Sequence, residues 1–178
     1  MRPAIDLLSQ YALYHRDRRN IASHFVGVPM IVFAVGVLLA RPSIGSFGLG
    51  ALALTPAWIA FGLAAAWYLT RGNLVLGLAT SAAVGVLILA AHHVGGSGVG
   101  AWLAWGIGFF AVGWVIQFIG HWYEGKKPAF VDDIIGLLVG PMFVVAEAMF
   151  MMGWGKPLLA EIERRAGPTH LRDLARIA

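Results

Sequence analysis

The stretch AWLAWGIGFFAVGWVIQFI (101–119) runs for nineteen residues without a charge, and its one amide is Gln117. Crossing the hydrocarbon core of a bilayer takes about 20 predominantly apolar residues in a helix, so the stretch reads as a membrane span. The segment that follows, GHWYEGKKPAFVDD (120–133), reverses its character: His121, Glu124, Asp132 and Asp133 collect at the lip of the apolar run. A span that ends in so much polar chemistry indicates both the fold class and the place to look for function.

Four further apolar runs cover about 25–40, 47–69, 74–91 and 134–154. The 47–69 run is also ample for a crossing, whereas 25–40 and 74–91 sit at the short end of the range of roughly 17–25 residues. Weak breakers separate the runs: RPSIGS (41–46), TRGN (70–73) and HHVGGSG (92–98). Ahead of them, PAIDLLSQYALYH (3–15) sets Ile5, Leu8, Ala12 and His15 at helical spacing, the pattern of a short helix lying in the membrane interface. RDRRN (16–20) then breaks the pattern, with Asn20 placed to cap the next helix. The last run carries Gly140-Pro141 in its middle, and proline removes a backbone donor and kinks or ends a helix.

Composition agrees. Of 178 residues, 59% are hydrophobic and 12% charged, with a mean hydropathy of +0.76; a soluble domain carries roughly a quarter charged residues. The apolar runs begin too late and are too numerous for a cleaved signal peptide. With no cysteine, disulfides and thiolate-bound metals are excluded. The net charge of +4 comes from basic residues at the chain ends. In a membrane protein that reports orientation and lipid contact, not nucleic-acid binding.

Arg2, Arg16, Arg18 and Arg19 precede the first run, and Lys156, Arg164, Arg165, Arg172 and Arg176 follow the last. Lys and Arg accumulate on the cytoplasmic side, which places both termini there and requires an even number of crossings. The predicted fold is all-α: an integral membrane helical bundle forming one domain over 1–178. It has four full spans, an N-terminal interfacial helix, and a broken or re-entrant fifth element over 134–154 that turns at Gly140-Pro141. Irregular backbone at that depth must be buried in protein or line a cavity.

This arrangement brings the N-terminal segment and residues 117–133 to one face. Gln117, His121 and Glu124 share one side of a helix by i,i+4 and i,i+3 spacing, as do Asn20 and His24. His15 and His24 would face opposite ways on an unbroken helix; they converge only through a break at RDRRN. Two or three imidazoles and a carboxylate, without cysteine, suit Fe(II), Zn(II) or Mn(II). Gln117 and Asn20 are placed to orient ligands or to hydrogen-bond a substrate. Glu147 is an ionisable group inside an apolar run, where such groups are costly and serve function by default. Asp132 and Asp133 read either as substrate-side carboxylates or as caps of a helix beginning near Ile134. Lys126 and Lys127 read as orientation charges, and His92 and His93 as loop residues on the opposite face.

The pieces YHRDRRNIASHFVGVP (14–29), QFIGHWYEGKKPAFVDD (117–133) and GPMFVVAEAMF (140–150), in that order, resemble the membrane 2-hydroxy fatty-acid dioxygenase family. The combined pattern H-x4-N-x3-H…Q-x3-H-x2-E-x3-P carries the likeness. The resemblance implies an enzyme that uses Fe(2+) and O2 to shorten a 2-hydroxy fatty acid by one carbon (α-oxidation). It implies His15, His24 and His121 as catalytic metal ligands, with Glu124 as the accompanying carboxylate. Asn20, Gln117, Pro128 and Glu147 also fall on pattern positions, and Asn20, Gln117, Asp132 and Glu147 are assigned to substrate binding or support of the ligands. The expected setting is a bacterial inner membrane, with the site at the cytoplasmic face, membrane lipid as a partner and a homo-oligomer allowed. AAHHVGGSGVG (90–100) departs from the fungal pattern and leaves His92 and His93 without a role. The alternative is a non-enzymatic membrane protein, a lipid- or metal-binding scaffold whose polar cluster is structural.

Overall fold

A computed structural model describes residues 2–41, 44–46, 53–96, 98–129 and 135–174. In order these form α1 (Ala4–Ala12), α2 (Arg18–Ala40), β1 (Gly45–Ser46), β2 (Ala53–Leu54), α3 (Pro56–Leu69), α4 (Leu74–Gly95) and α5 (Val99–Leu103). A π-helical segment (Ala104–Gly108), α6 (Phe109–Glu124), α7 (Gly136–Met151) and α8 (Lys156–Ala166) follow. The described chain is helical apart from the two-residue antiparallel pairing of β1 with β2.

The break at RDRRN is real, but its cap is Asp17 and not Asn20. The Asp17 carboxylate accepts the Arg19 N–H at 2.8 Å and so meets one of the orphan donors of the first turn. Asn20 becomes the third residue of α2, where its side chain is available to the site. The 23 residues of α2 extend about 35 Å, with Pro29 inside the helix.

α2 packs against α3, α4, α6 and α7. It meets the Val99–Glu124 helix through Gly106, Gly113 and Gly120, spaced seven apart. A Cβ on Gly113 would lie 2.8 Å from Ile31 Cγ1, and one on Gly27 would lie 2.9 Å from the Gly113 carbonyl. Gly120 likewise faces Ser23 and Asn20, and Gly106 faces Leu38. Between helices in lipid there is little hydrophobic drive, so close backbone approach over small residues supplies the packing.

Three helices are long and apolar enough to cross a membrane: α2, α4 and the continuous Val99–Glu124 helix. Val26, Val35, Val86, Leu89, Val112 and Val115 lie exposed on them. Counting the bent α7–α8 pair as one span brings the number to four, so four full spans with a fifth element besides is more than the described helices show. The 25–40 and 74–91 runs gain length from flanking polar residues that stay helical. The 47–69 run loses it: its helix starts only at Pro56, and 14 residues reach about 21 Å. Residues 47–52 lie outside the described residues. α3 still connects the two ends of the bundle. At one end Thr55 Oγ1 lies 2.8 Å from His92 Nε2; at the other the Arg71 carbonyl accepts the Ala4 N–H at 2.8 Å.

The last apolar run also departs from expectation. α7 continues through Gly140-Pro141, and the turn comes after Met151, where α8 leaves at 118°. Pro141 sits early in the helix and deprives one carbonyl, that of Leu137, of its donor. Gly140 serves packing, because a Cβ there would come within 3.3 Å of the Tyr11 hydroxyl. Gly140, Phe143 and Glu147 touch Tyr11, His15 and Arg16 in turn, so α7 runs alongside the break between α1 and α2. α1 buries Leu7, Leu8, Tyr11 and Ala12 and packs on α7 and α8. The tail then returns over the break: Arg18 N–H donates to the His170 carbonyl at 3.0 Å, and His170 N–H to the Arg16 carbonyl at 2.9 Å.

Gly113→Leu is expected to force α2 and α6 apart, at an overpacking cost of about 1–3 kcal/mol, and to lower the thermal midpoint in detergent. Gly62→Ala, where nothing lies within 4 Å of the added Cβ, should leave that midpoint unchanged or raise it.

Candidate metal centre

Three imidazoles meet at the break. His15 follows α1, His24 lies in the second turn of α2, and His121 lies in the last turn of α6. All three are buried, with ring centroids 4.4, 4.8 and 5.2 Å apart. Their ligand nitrogens lie within 4.8 Å of one another, and among the described residues this is the cluster able to hold a metal ion.

Hydrogen bonds decide which nitrogens face inward. His15 Nδ1 is 2.7 Å from the Tyr11 carbonyl, and His24 Nδ1 is 2.8 Å from the Asn20 carbonyl. A carbonyl only accepts, so each Nδ1 carries the proton and each Nε2 of a neutral ring presents a lone pair. The two Nε2 atoms are 2.9 Å apart. Lone pairs facing each other in a buried site repel, and a shared cation removes the repulsion. His121 Nδ1, buried and without a hydrogen-bond partner, offers a third nitrogen. Metal–nitrogen bonds of about 2.0–2.1 Å fit this set with small ring shifts. Nδ1–H groups anchored on carbonyls also fix the orientation of histidine ligands. Burial, with His24 and His121 beside it, holds the His15 pKa well below its ordinary value, so this ring is neutral and ligand-competent at neutral pH. Tyr11 stacks on His15 at 4.0 Å and an interplanar angle of 2°, and Phe143 closes the other approach at 5.3 Å.

Glu124, expected as the accompanying carboxylate ligand, lies beside the cluster but is engaged elsewhere. Its oxygens accept the Arg16 N–H at 3.0 Å, the Asp17 N–H at 2.8 Å and the Asn20 amide at 3.1 Å. It is not part of the convergent ligand set. Asn20 also donates to the Tyr14 carbonyl at 3.0 Å, which places it in the same latch. Arg16 is 3% exposed and donates to the carbonyls of Ala12, His15 and Gly167. Glu147 faces it at 3.5 Å and so balances a buried cation rather than touching the imidazoles. Gln117 lies one turn before His121, with its Oε1 buried and unpartnered. Asp132 and Asp133 lie outside the described residues.

A cavity opens beside His24 and His121. Tyr11 and Gln117 share its polar end, and Val28, Ile31 and Trp114 line the apolar remainder, with Leu137 and Pro141 of α7 along one side. His24 to Ile31 and His121 to Trp114 are seven residues each, so the cavity runs roughly 10 Å into the bundle. Leu137 at its rim is 47% exposed. The arrangement suits a molecule with a metal-binding head and an apolar chain.

Sequence reasoning misses Tyr11, Phe143 and the burial of Arg16. The i,i+4 spacing of Tyr11 to His15 is a usable signal for the first; nothing local marks the other two. His92 and His93 do lie at the opposite end, but in the last turn of α4 rather than in a loop. His92 is bonded to Thr55 and the Ile88 carbonyl and stacks on Trp58 at 4.7 Å.

The sequence profile of the Mpo1-like family, described as 2-hydroxy-palmitic acid dioxygenase Mpo1-like, matches residues 1–152. The chain is 30% identical over 165 residues to the 2-hydroxy-palmitic acid dioxygenase MPO1 of Saccharomyces cerevisiae, covering 89% of this chain and 88% of the relative. No solved structure matches.

Glu124→Ala strands two backbone N–H groups and the Asn20 amide, each at about 1–3 kcal/mol, and should lower the thermal midpoint and bound metal together. Glu124→Gln keeps an acceptor; it should melt below wild type yet retain metal by elemental analysis. Metal loss in both variants with unchanged melting would make Glu124 a ligand instead.

Proposed function

The chain belongs to the Mpo1-like family, and from that premise we propose that it is an integral membrane, iron-dependent dioxygenase of 2-hydroxy fatty acids that removes C1. The overall change balances with one O2: the 2-hydroxy acid gives the acid one carbon shorter, CO2 and water, and no further reductant is needed. One observation carries the reading: three buried imidazoles converge, two with facing lone pairs, and His24 and His121 of the three line the polar end of an apolar cavity.

In this reading His15, His24 and His121 would hold Fe(2+), which would supply a Lewis-acidic, redox-active centre for the reaction of the 2-hydroxy acid with O2. The Tyr11 and Asn20 carbonyls keep the His15 and His24 rings aimed inward. Gln117 Oε1, which lacks a partner, accepts the substrate's hydroxyl proton in a hydrogen bond. Val28, Ile31 and Trp114 take the alkyl chain and exclude water from the head group. Glu124 latches the chain break that carries His15, and Glu147 holds Arg16 behind it; Asp132 keeps its proposed role in substrate binding. The charge rule favours the cytoplasmic side for the face that carries the site, and the proposed setting is a bacterial inner membrane.

His121→Ala should lose bound iron and formation of the shorter acid, while His92→Ala, at the far end of α4, keeps both; the assay is product mass spectrometry with iron per folded chain. Iron-free turnover by wild type, or an active and iron-loaded His121→Ala, would overturn the assignment. A chain that binds metal but never consumes O2 with a 2-hydroxy acid would be the non-enzymatic scaffold. For orientation, single cysteines at Leu171 and Arg2 should label from the cytoplasmic side of intact membranes, and one at Gly98 from the other.

A further inference from the structure

His121 also lines a second, shallow concavity, together with Phe118, Trp122, Gly125, Lys126 and Arg172. We propose that this concavity is the head-group end of the substrate site: Arg172, assisted by Lys126, receives the carboxylate of the acid whose alkyl chain lies in the apolar cavity. The inference rests on the 2-hydroxy acid reading above and adds to it a residue that holds the head group.

Arg172 is positioned from both sides. Its N–H donates to Asp17 Oδ2 at 2.8 Å, and its carbonyl accepts from Arg19 Nη2 at 2.7 Å. Its guanidinium lies directly over the backbone of Gly125, where an added Cβ would overlap it. Gly125 ends α6 at φ 69°, a left-handed conformation that favours glycine. The C-cap of α6 therefore also provides the seat for the arginine. Other buried or half-buried charges at this face have partners: Asp17 pairs with Arg19 and Arg16 with Glu147. Arg172 is half-buried, and its side chain forms no ion pair with a carboxylate among the described residues. A guanidinium without a carboxylate partner among the described residues, at the rim of a concavity, suits a planar anion, because its fork matches a carboxylate bidentately. Lys126 adds a second cation, held nearby by its 2.6 Å bond to the Leu13 carbonyl.

His121 stands between the two halves. It lines both the basic mouth and the apolar cavity. In a 2-hydroxy acid the carboxylate adjoins the hydroxyl-bearing carbon, and the alkyl chain continues beyond it. A carboxylate at Arg172 with the chain in the apolar cavity sets the C1–C2 bond beside His121. Arg172 is a positioning residue on a tail segment outside the 1–152 match to the family profile.

The test uses metal-loaded full-length protein in neutral-lipid nanodiscs under anaerobic conditions, with affinities measured calorimetrically for 2-hydroxy-palmitic acid and its uncharged methyl ester. Arg172→Gln is expected to weaken acid binding roughly tenfold while leaving ester binding at the wild-type value, and Arg172→Lys should recover part of the loss. Unchanged acid affinity in Arg172→Gln would overturn the proposal, as would equal losses for acid and ester, which would mean the arginine acts through packing. A loss that appears only with anionic phospholipid in the discs would assign the mouth to a lipid phosphate and also overturn it. Arg172-dependent acid binding with no shorter acid formed when O2 is admitted would support this site while removing the dioxygenase reading.

Discussion

The carboxylate of Glu124 ties the end of α6 to the start of α2, and the histidine cluster depends on that tie. Its partners are the N–H groups of Arg16 and Asp17 and the Asn20 amide, all at or just before the first turn of α2. A negative charge there complements the partial positive charge of a helix N-terminus. Glu124 thus acts as a capping group supplied by another helix. In doing so it sets the distance between His24 and His121, and it holds the break that turns His15 back toward both.

The glycine contacts act one level down. With Gly27, Gly113 and Gly120 at the crossing, α2 and α6 approach closely enough for imidazoles on adjacent helices to meet. That closeness creates an electrostatic problem as well as a site, because the Nε2 atoms of His15 and His24 face each other. Tyr11 and Phe143 pack around His15, so it cannot swing away to relieve the repulsion. A cation held between the two Nε2 atoms would relieve it.

Much of this was legible in the sequence, and the reasons differ by element. His15, His24 and His121 were readable because an i,i+4 register and a charged break project onto a simple geometry. Asn20 was misread as a cap because Asp17, three residues earlier, competes for the same role and reaches the Arg19 N–H first. The 47–69 run was overestimated because hydropathy records apolar content and not where Pro56 begins the helix. Gly140-Pro141 was read as a turn, yet proline near the start of a helix costs a single hydrogen bond. Glu124 was placed beside the histidines correctly, but spacing alone carries no information on which way a carboxylate points. Arg16 was counted as a topological charge because its burial depends on α7 and the returning tail.

The shortness of α3 has a consequence for the membrane itself. α2, α4 and the Val99–Glu124 helix, polar ends included, are about 33 Å or more long, while α3 is about 21 Å long. A bilayer core of about 30 Å is matched by the full lengths of the first three, whereas α3 by itself is shorter than the core, which favours local thinning on its side. Such mismatch costs fractions of a kcal/mol per Å, enough to bias which lipids gather there. The protein would carry an asymmetric lipid annulus, thinner along one flank, and would partition toward thinner membranes when offered a choice.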